Sequence, residues 1–472
     1  MPKHIAIIGG GPAGYVAASH AAAGGASVTL IDSSPLGGTC LHRGCIPTKS
    51  LVEVCNLLDK TRHAESYGLR LSGDVQADWP AMLSRAGRVI GLLNKGINGL
   101  MSDRKVTVIQ GRGKILDGRR VDVEGHGIVS ADAVLICTGS SPILPDSFRV
   151  DEELVATSDE LLQWETLPRS LTIVGDGVVA CEFAFIMNVL GVKVTLTAMA
   201  ERPLPFIDTE ISTIVLREMR KRGITFVGNC AVERLESAGS DGINALAGGQ
   251  VVATSERVLV AIGRRPNTWN LGLEDAGVEM GRRGEIITDE MMRTNIDGLY
   301  AAGDVNGRLA LAHAASAQAI LAVDHALGRD PTPLDDSAIP WAVFTMPEIG
   351  SVGLSEQKAV EQGLMVSTGR FDLRGLGKAQ AMGELTGLAK IVADRATGRL
   401  LGVHIIGAHA SDMVHEAAVL LRQGASVHAI SHTVHAHPTL SEAILEAAED
   451  AFGQAIHKPL KHKNIHENAF SQ

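Results

Sequence analysis

Two stretches of this 472-residue chain, 4–32 and 171–198, repeat one pattern. Each opens with a short run of branched apolar residues, turns on closely spaced glycines, continues through a segment rich in small residues and ends in a second apolar run. In the first unit the turn reads Gly9-Gly10-Gly11-Pro12-Ala13-Gly14, and Asp32 closes the second run. In the second it reads Gly175-Asp176-Gly177-Val178-Val179-Ala180, and Val-Thr-Leu-Thr leads to Ala198 where the first unit has Val-Thr-Leu-Ile-Asp. The physical reading is strand, tight turn, helix and parallel strand. Glycines at 9, 11 and 14 let the backbone turn, let a pyrophosphate approach the helix N-terminus and let helix and strand pack closely. An acid at the end of the second strand can hold a ribose hydroxyl. Glycines that serve packing alone would share this spacing, but strand, helix, second strand and acid together point to dinucleotide binding. Two such units imply an α/β fold with two dinucleotide sites.

A chain of this length exceeds a single hydrophobic core and predicts about three domains. Aromatic residues make up 3% and glycines number 52, which suits many tight turns and not aromatic stacking platforms. The formal charge of −10 argues against sequence-general nucleic-acid binding and leaves small molecules or proteins as partners. The first apolar run breaks on glycines and reads as a strand, not a leader, and no apolar run reaches the length of a bilayer. Cys55, Cys137, Cys181 and Cys230 are scattered singly and read as small buried apolar residues. A soluble protein of a reducing, cytoplasmic compartment is the expectation.

The remaining cysteines, Cys40 and Cys45, lie in Gly-Gly-Thr-Cys-Leu-His-Arg-Gly-Cys-Ile-Pro-Thr-Lys, residues 37–49. On a regular helix their Cα atoms would be roughly 8–9 Å apart, beyond the reach of a disulfide at under about 7 Å. Gly44 relaxes the backbone, and Pro47 is expected to distort the winding enough to close the ring. Such a ring is strained and easily reduced, as a catalytic disulfide must be. A bare Cys-x4-Cys reads first as two buried free thiols, and a zinc site lacks a second close pair of ligands.

The whole segment resembles the redox-disulfide motif of the class I flavoprotein disulfide reductases, which include dihydrolipoamide dehydrogenase, glutathione reductase and mercuric reductase. The resemblance implies two Rossmann-like domains of the glutathione-reductase type and a C-terminal α+β dimerisation domain. It divides the chain into 1–148 (FAD-binding, with the redox disulfide), 149–270 (nicotinamide-binding), 271–338 (return to the FAD and central region) and 339–472 (interface). FAD would sit on Gly9, Gly11, Gly14 and Asp32, with Thr138, Gly139 and Gly263 in the linking segments. Residues 294–304, Thr-Asn-Ile-Asp-Gly-Leu-Tyr-Ala-Ala-Gly-Asp, would bring Asp304 to the ribityl and phosphate region, and the helix from Ala312 would lie beside the flavin ring. A nicotinamide would use Gly175, Gly177 and Ala180. Cys45 would face the flavin and Cys40 the substrate, and Lys49 and Glu182 would pair beside the ring.

His435-Ala-His437-Pro438-Thr439-Leu-Ser-Glu442 forms a second chemical constellation. Histidine titrates near neutrality, disulfide exchange needs a base to make a thiolate, and a nearby carboxylate can orient an imidazole. A lone histidine of this kind is otherwise an ordinary surface or capping residue. The His-Pro-Thr-x-x-Glu match to the same family implies that His437 is the acid/base, that Glu442 is its partner, and that both serve the disulfide of the other subunit in a homodimer.

Within the family, mercuric reductase and the large thioredoxin reductases carry a C-terminal cysteine pair, whereas no cysteine follows Cys230 here. Soluble transhydrogenases lack the full pair near the N-terminus. The continuation Thr-Leu-Ser-Glu-Ala looks more like dihydrolipoamide dehydrogenase than glutathione reductase. The expected activity is oxidation of a dihydrolipoyl group, on a carrier protein or as a small dithiol, through the disulfide and FAD to NAD. Two alternatives stay open: an NADPH-dependent reductase of another disulfide such as glutathione, and a flavin-bearing redox-sensing subunit without turnover. Ala198 stands where an acid would favour NAD, yet the next cation, Arg202, is flanked by Glu201; the reading leans to NAD and leaves NADP open. Arg43 is either a charge acting on the cysteines or a surface charge. The basic cluster 457–463 is either a solvated tail or a guide for an acidic carrier.

Overall fold

The computed structural model describes residues 2–151 and 153–458. It comprises two compact units, one built from residues up to 201 together with 220–334, the other from 202–219 together with 335 onward.

The first unit holds two five-stranded parallel sheets built alike. One runs Leu299–Ala301, Ala133–Ile136, His4–Ile8, Ser27–Asp32, Thr107–Gln110. The other runs Val155–Ala156, Arg257–Val260, Ser170–Val174, Lys193–Thr197, Thr225–Val227. In each, the strand before the glycine turn is central and pairs with the strand that follows the crossover helix, Pro12–Ala23 or Val178–Val189. Both central strands are almost wholly buried, as parallel strands covered on two faces must be. Ala13, Ala17, Ala18 and Ala21 form the buried face of the first helix and pack with Ala315, Ala319 and Ala322 of helix Ala312–Ala326. Small side chains on both helices allow that close approach.

Several elements carry no motif that sequence reading could use. One is the 25-residue helix Trp79–Asp103, whose N-cap Asp78 accepts the Ala81 N–H at 3.0 Å. Two three-stranded antiparallel sheets, at 113–130 and 234–255, are further additions.

In the second unit an antiparallel sheet runs Trp341–Val343, Ile349–Gly353, Leu400–Ile406, Leu388–Asp394, Val366–Asp372. Helices Ala410–Arg422 and Glu442–Asp450 share its core. A Cβ on Gly369 would lie 1.8 Å from the Ala447 carbonyl oxygen, so only glycine lets the second of these helices seat so closely on the edge strand. Residues 202–219 fall in sequence inside the stretch 149–270 yet belong here. Lys390, fully buried, donates to Asp208 at 2.9 Å, Glu210 at 2.7 Å and Glu356 at 2.7 Å, and Arg370 bonds Glu210 and Glu356 at 2.6 and 2.8 Å. Burial opposes the charge on Lys390, but its hydrogen bonds to Glu210, Glu356 and Asp208 outweigh that and hold the ammonium protonated. Replacing Lys390→Met leaves buried Asp208 without its cation, and denaturant unfolding is expected to show a loss of about 3–5 kcal/mol.

Candidate active site

Residues 37–49 form two helices, not one. Helix Gly38–His42 ends at Arg43, and helix Cys45–Arg62 begins directly after Gly44. A Cβ on Gly44 would stand 3.0 Å from the Thr39 carbonyl oxygen, so glycine is what lets the helix ends meet. The expected role of Pro47 is thereby corrected. It lies in the first turn of the second helix, where its missing N–H would have had no intrahelical partner, and it distorts nothing.

Cys40 and Cys45 are thiols in hydrogen-bonding contact. The bond from Cys40, helped by the Lys49 ammonium, brings Cys45 down to about 7 against the effect of burial. That same bond, with burial, pushes Cys40 far above the usual thiol range. Cys45 is also the first residue of its helix, where the exposed N–H groups favour an anion. One sulfur is thus poised as a thiolate and the other keeps its proton.

Lys49 follows Cys45 by one helical turn, and its Nζ bonds both oxygens of Glu182 at 3.0 and 2.9 Å. Glu182 is buried on helix Val178–Val189, in the second glycine unit, so the ion pair ties the redox helix to that unit. Arg62 adds a second tie, donating to the Val189 carbonyl at 2.7 Å. Arg43 is half exposed and pairs with Asp159 at 3.5 Å; the cation acting on the thiols is Lys49. Burial raises the Tyr15 phenol, and the charge of Cys40 raises it further.

The two glycine turns separate what the fold needs from what a ligand needs. A Cβ on Gly14 would lie 1.7 Å from the Gly9 carbonyl oxygen, and one on Gly9 (φ +102°) 2.3 Å from that of Cys137, so both are demanded by packing. Gly175 is held in the same way against Ala261. The middle glycines differ: nothing lies within 4 Å of a Cβ on Gly177, and only Gly38 at 3.7 Å on Gly11. The protein leaves those positions open, as a cradle for a pyrophosphate requires. Asp32 accepts the Gly10 and Ser34 N–H groups at 2.5 and 2.7 Å. It borders a cavity of about 310 Å³ also lined by Ser34, Leu36, Asn94, Asn98 and Gln110.

The other residues singled out in the first unit cluster on a short antiparallel ribbon, Ser140–Pro142 with Arg264–Pro266. Asp304 accepts from Ser140 Oγ at 2.5 Å, and Arg264 donates to that oxygen at 2.8 Å. Thr138 donates to the Asn267 carbonyl at 2.7 Å, while Gly139 and Gly263 take φ of +71° and +129° at the ribbon's ends. Ala312 is the first residue of helix Ala312–Ala326.

In the second unit, His437 Nδ1 and Glu442 Oε1 are 2.9 Å apart, and the Thr439 N–H donates to Glu442 Oε2 at 2.8 Å. Burial pushes the Glu442 carboxyl up, but the bonds from His437 and Thr439 outweigh it and hold it below its ordinary range. The carboxylate fixes Nδ1–H, which leaves Nε2 without a hydrogen bond among the described residues, on a largely exposed ring. One turn along the helix, Glu446 bonds His457 through both its N–H and Nδ1, at 3.1 and 2.7 Å. Of the basic cluster 457–463, His457 and Lys458 are thus fastened to helix Glu442–Asp450, Lys458 through Asp450; residues 459–463 lie outside the described residues.

Residues 3–319 match the model for pyridine nucleotide-disulphide oxidoreductases, and 339–448 match the dimerisation domain of the same group. The chain belongs to the pyridine nucleotide-disulphide oxidoreductase family. A dihydrolipoyl dehydrogenase of Bacillus subtilis (strain 168) is 40% identical over 469 residues, covering 96% of this chain and 98% of its own. One from Chlamydia muridarum is 37% identical over 457 residues, at 96% and 97% coverage. The crystal structure of LpdA from Mycobacterium tuberculosis superposes with a TM-score of 0.88 at 30% identity, over 95% of this chain and 99% of that one. The α/β architecture with a separate C-terminal dimerisation domain is therefore that of the family.

Against this family background, sequence reading missed Tyr15, Asp159, Asn94, Asn98 and the His457–Glu446 pair. Tyr15 directly follows the last glycine of the first turn, so its neighbourhood to a ligand was the one signal within reach. Asp159, Asn94 and Asn98 are brought to the site only by packing between segments distant in the chain, whereas Glu446 stands one turn along the helix from Glu442. No helix among the described residues is long and apolar enough to cross a membrane.

Proposed function

We propose that the protein is a dihydrolipoyl dehydrogenase, a homodimer that oxidises a dihydrolipoyl group carried on a protein and passes the electrons through FAD to NAD in a cytoplasmic setting. The observation that carries this reading is the asymmetry of the cysteine pair: Cys45 opens helix Cys45–Arg62 one turn before the Glu182-bound Lys49, and the hydrogen bond from Cys40, with Lys49 behind it, draws Cys45 down to about 7 while Cys40 is driven upward. In a disulfide, the sulfur of lower pKa leaves faster. A substrate thiolate therefore attacks Cys40, the S–S bond breaks, and Cys45 departs as the thiolate. The second substrate thiol then displaces Cys40, which closes the lipoyl disulfide and leaves the protein as a dithiol. Two electrons have entered the protein, and the protons released by the substrate are taken by Nε2 of His437 and by Cys40. In the dimer each His437–Glu442 pair would serve the partner subunit's Cys40, consistent with the dimerisation-domain match.

FAD, when bound, would supply the two-electron chemistry that links the Cys40–Cys45 dithiol to a nicotinamide. The open cradle at Gly11, the carboxylate of Asp32 and the 310 Å³ cavity fit its adenosine and pyrophosphate. Lys49, held by Glu182, supplies positive charge on the cysteine side. The test offers free dihydrolipoamide, a lipoylated carrier domain and glutathione, with NAD or NADP, to the purified protein. Turnover of a lipoyl form with NAD supports the reading, and activity confined to the carrier points to a dedicated lipoyl partner. Preference for glutathione with NADPH overturns it, and inertness toward all three favours a sensing subunit.

A further inference from the structure

The two glycine units keep the same strand register up to the place where a ribose would bind, and there they differ. His4–Ile8 pairs with Ser27–Asp32 so that Ile8 faces Ile31; Val174 faces Thr197 in the second unit, and Asp32 and Ala198 follow at the same register. Ala198 is buried and offers no polar side-chain atom. The residue between the first two glycines has also changed, from Gly10 to Asp176. In the first unit a Cβ on Gly10 would point at the strand-end carboxylate, 3.1 Å from Asp32 Oδ2 and 2.5 Å from Leu36 Cδ2. In the second unit that direction is filled by Asp176 itself. Its Oδ2 accepts the Ala200 N–H at 3.2 Å, two residues past the missing acid. The first unit bridges turn and strand end with an acid on the strand, and the second makes the corresponding bridge with an acid on the turn.

We infer that Asp176 supplies, from the glycine turn, the ribose-binding carboxylate that position 198 lacks, and that it makes the second unit selective for NAD over NADP. The inference rests on the proposed reading of that unit as the nicotinamide site. Oδ2 is held by Ala200, and Oδ1 has no hydrogen bond among the described residues, which leaves it to accept from a ribose hydroxyl. A 2′-phosphate would bring a charge of about −2 against this fixed carboxylate.

Binding of NADH and NADPH is measured directly by calorimetry on the flavin-loaded protein and on its Asp176→Asn and Asp176→Gly variants, alongside KM for NAD and NADP. Flavin content and melting temperature establish that each variant is folded. Native protein is expected to bind NADH more tightly than NADPH, and each variant to weaken NADH by about tenfold, the worth of a charge-assisted hydrogen bond, while NADPH binding improves. A native preference for NADH that both variants retain within about twofold overturns the role of Asp176 and leaves the NAD reading standing. A native preference for NADPH, or no binding of either nucleotide, overturns both.

Discussion

Cys45→Ser is expected to lose dihydrolipoyl oxidation entirely while remaining folded and able to take up flavin. A hydroxyl has nearly the volume of the thiol and can accept the Cys45 backbone N–H as the sulfur does, so the loss is chemical. Without Cys45 no disulfide can form and Cys40 has no partner from which to be displaced. The variant should still exchange electrons between nicotinamide and flavin, because that step does not pass through the sulfurs. A variant that kept lipoyl oxidation would mean that the pair is structural. In native protein, the same residue sets a pH dependence: Cys45 titrates at about 7, so its thiolate is present above that pH and is lost as pH falls through it.

His437→Gln is expected to slow the thiol-linked half-reaction by about 10²–10⁴-fold, the range for removing a general base. The amide keeps a hydrogen bond toward Glu442, and the Thr439 N–H still anchors that carboxylate at 2.8 Å, so the helix start should survive. Nicotinamide–flavin exchange should be nearly unchanged in stopped-flow traces. An equal loss in both half-reactions would assign His437 to structure. Glu442→Gln should reproduce part of the defect, since a neutral partner no longer stabilises the imidazolium that forms when Nε2 takes a proton.

The two glycine units, the cysteine segment and the His-Pro-Thr segment were legible because each is local: a turn, a helix entrance or a helix start written in consecutive residues. Their strands fall within a residue or two of where the apolar runs put them. Residues 202–219 were not legible in the same way. What draws them to the C-terminal sheet is Lys390 meeting Asp208 and Glu210, charges more than 170 positions apart, and no periodicity announces such a pairing. Pro47 illustrates a local rule applied to the wrong position: proline breaks a helix interior but is neutral in a first turn, and only the break at Arg43 and Gly44 reveals which case applies. Arg43 could be placed in the right neighbourhood but not aimed, since its direction depends on Asp159, far along the chain. The substitution at Ala198 read as a simple absence until the hydrogen bond from Ala200 to Asp176 showed a carboxylate on the opposite side of the same turn.

The central claim, a flavin-linked dithiol centre that takes electrons from a dihydrolipoyl group, is tested most directly by anaerobic titration of the purified protein with dihydrolipoamide, followed by visible absorbance. The account predicts an oxidised-flavin spectrum that gains a long-wavelength band after one two-electron equivalent, as the Cys45 thiolate comes to lie against the flavin. The band should fade as pH falls through about 7 and be absent in Cys45→Ser. A protein without flavin absorbance, or a flavin that dihydrolipoamide leaves unaltered while a nicotinamide reduces it, would contradict the account.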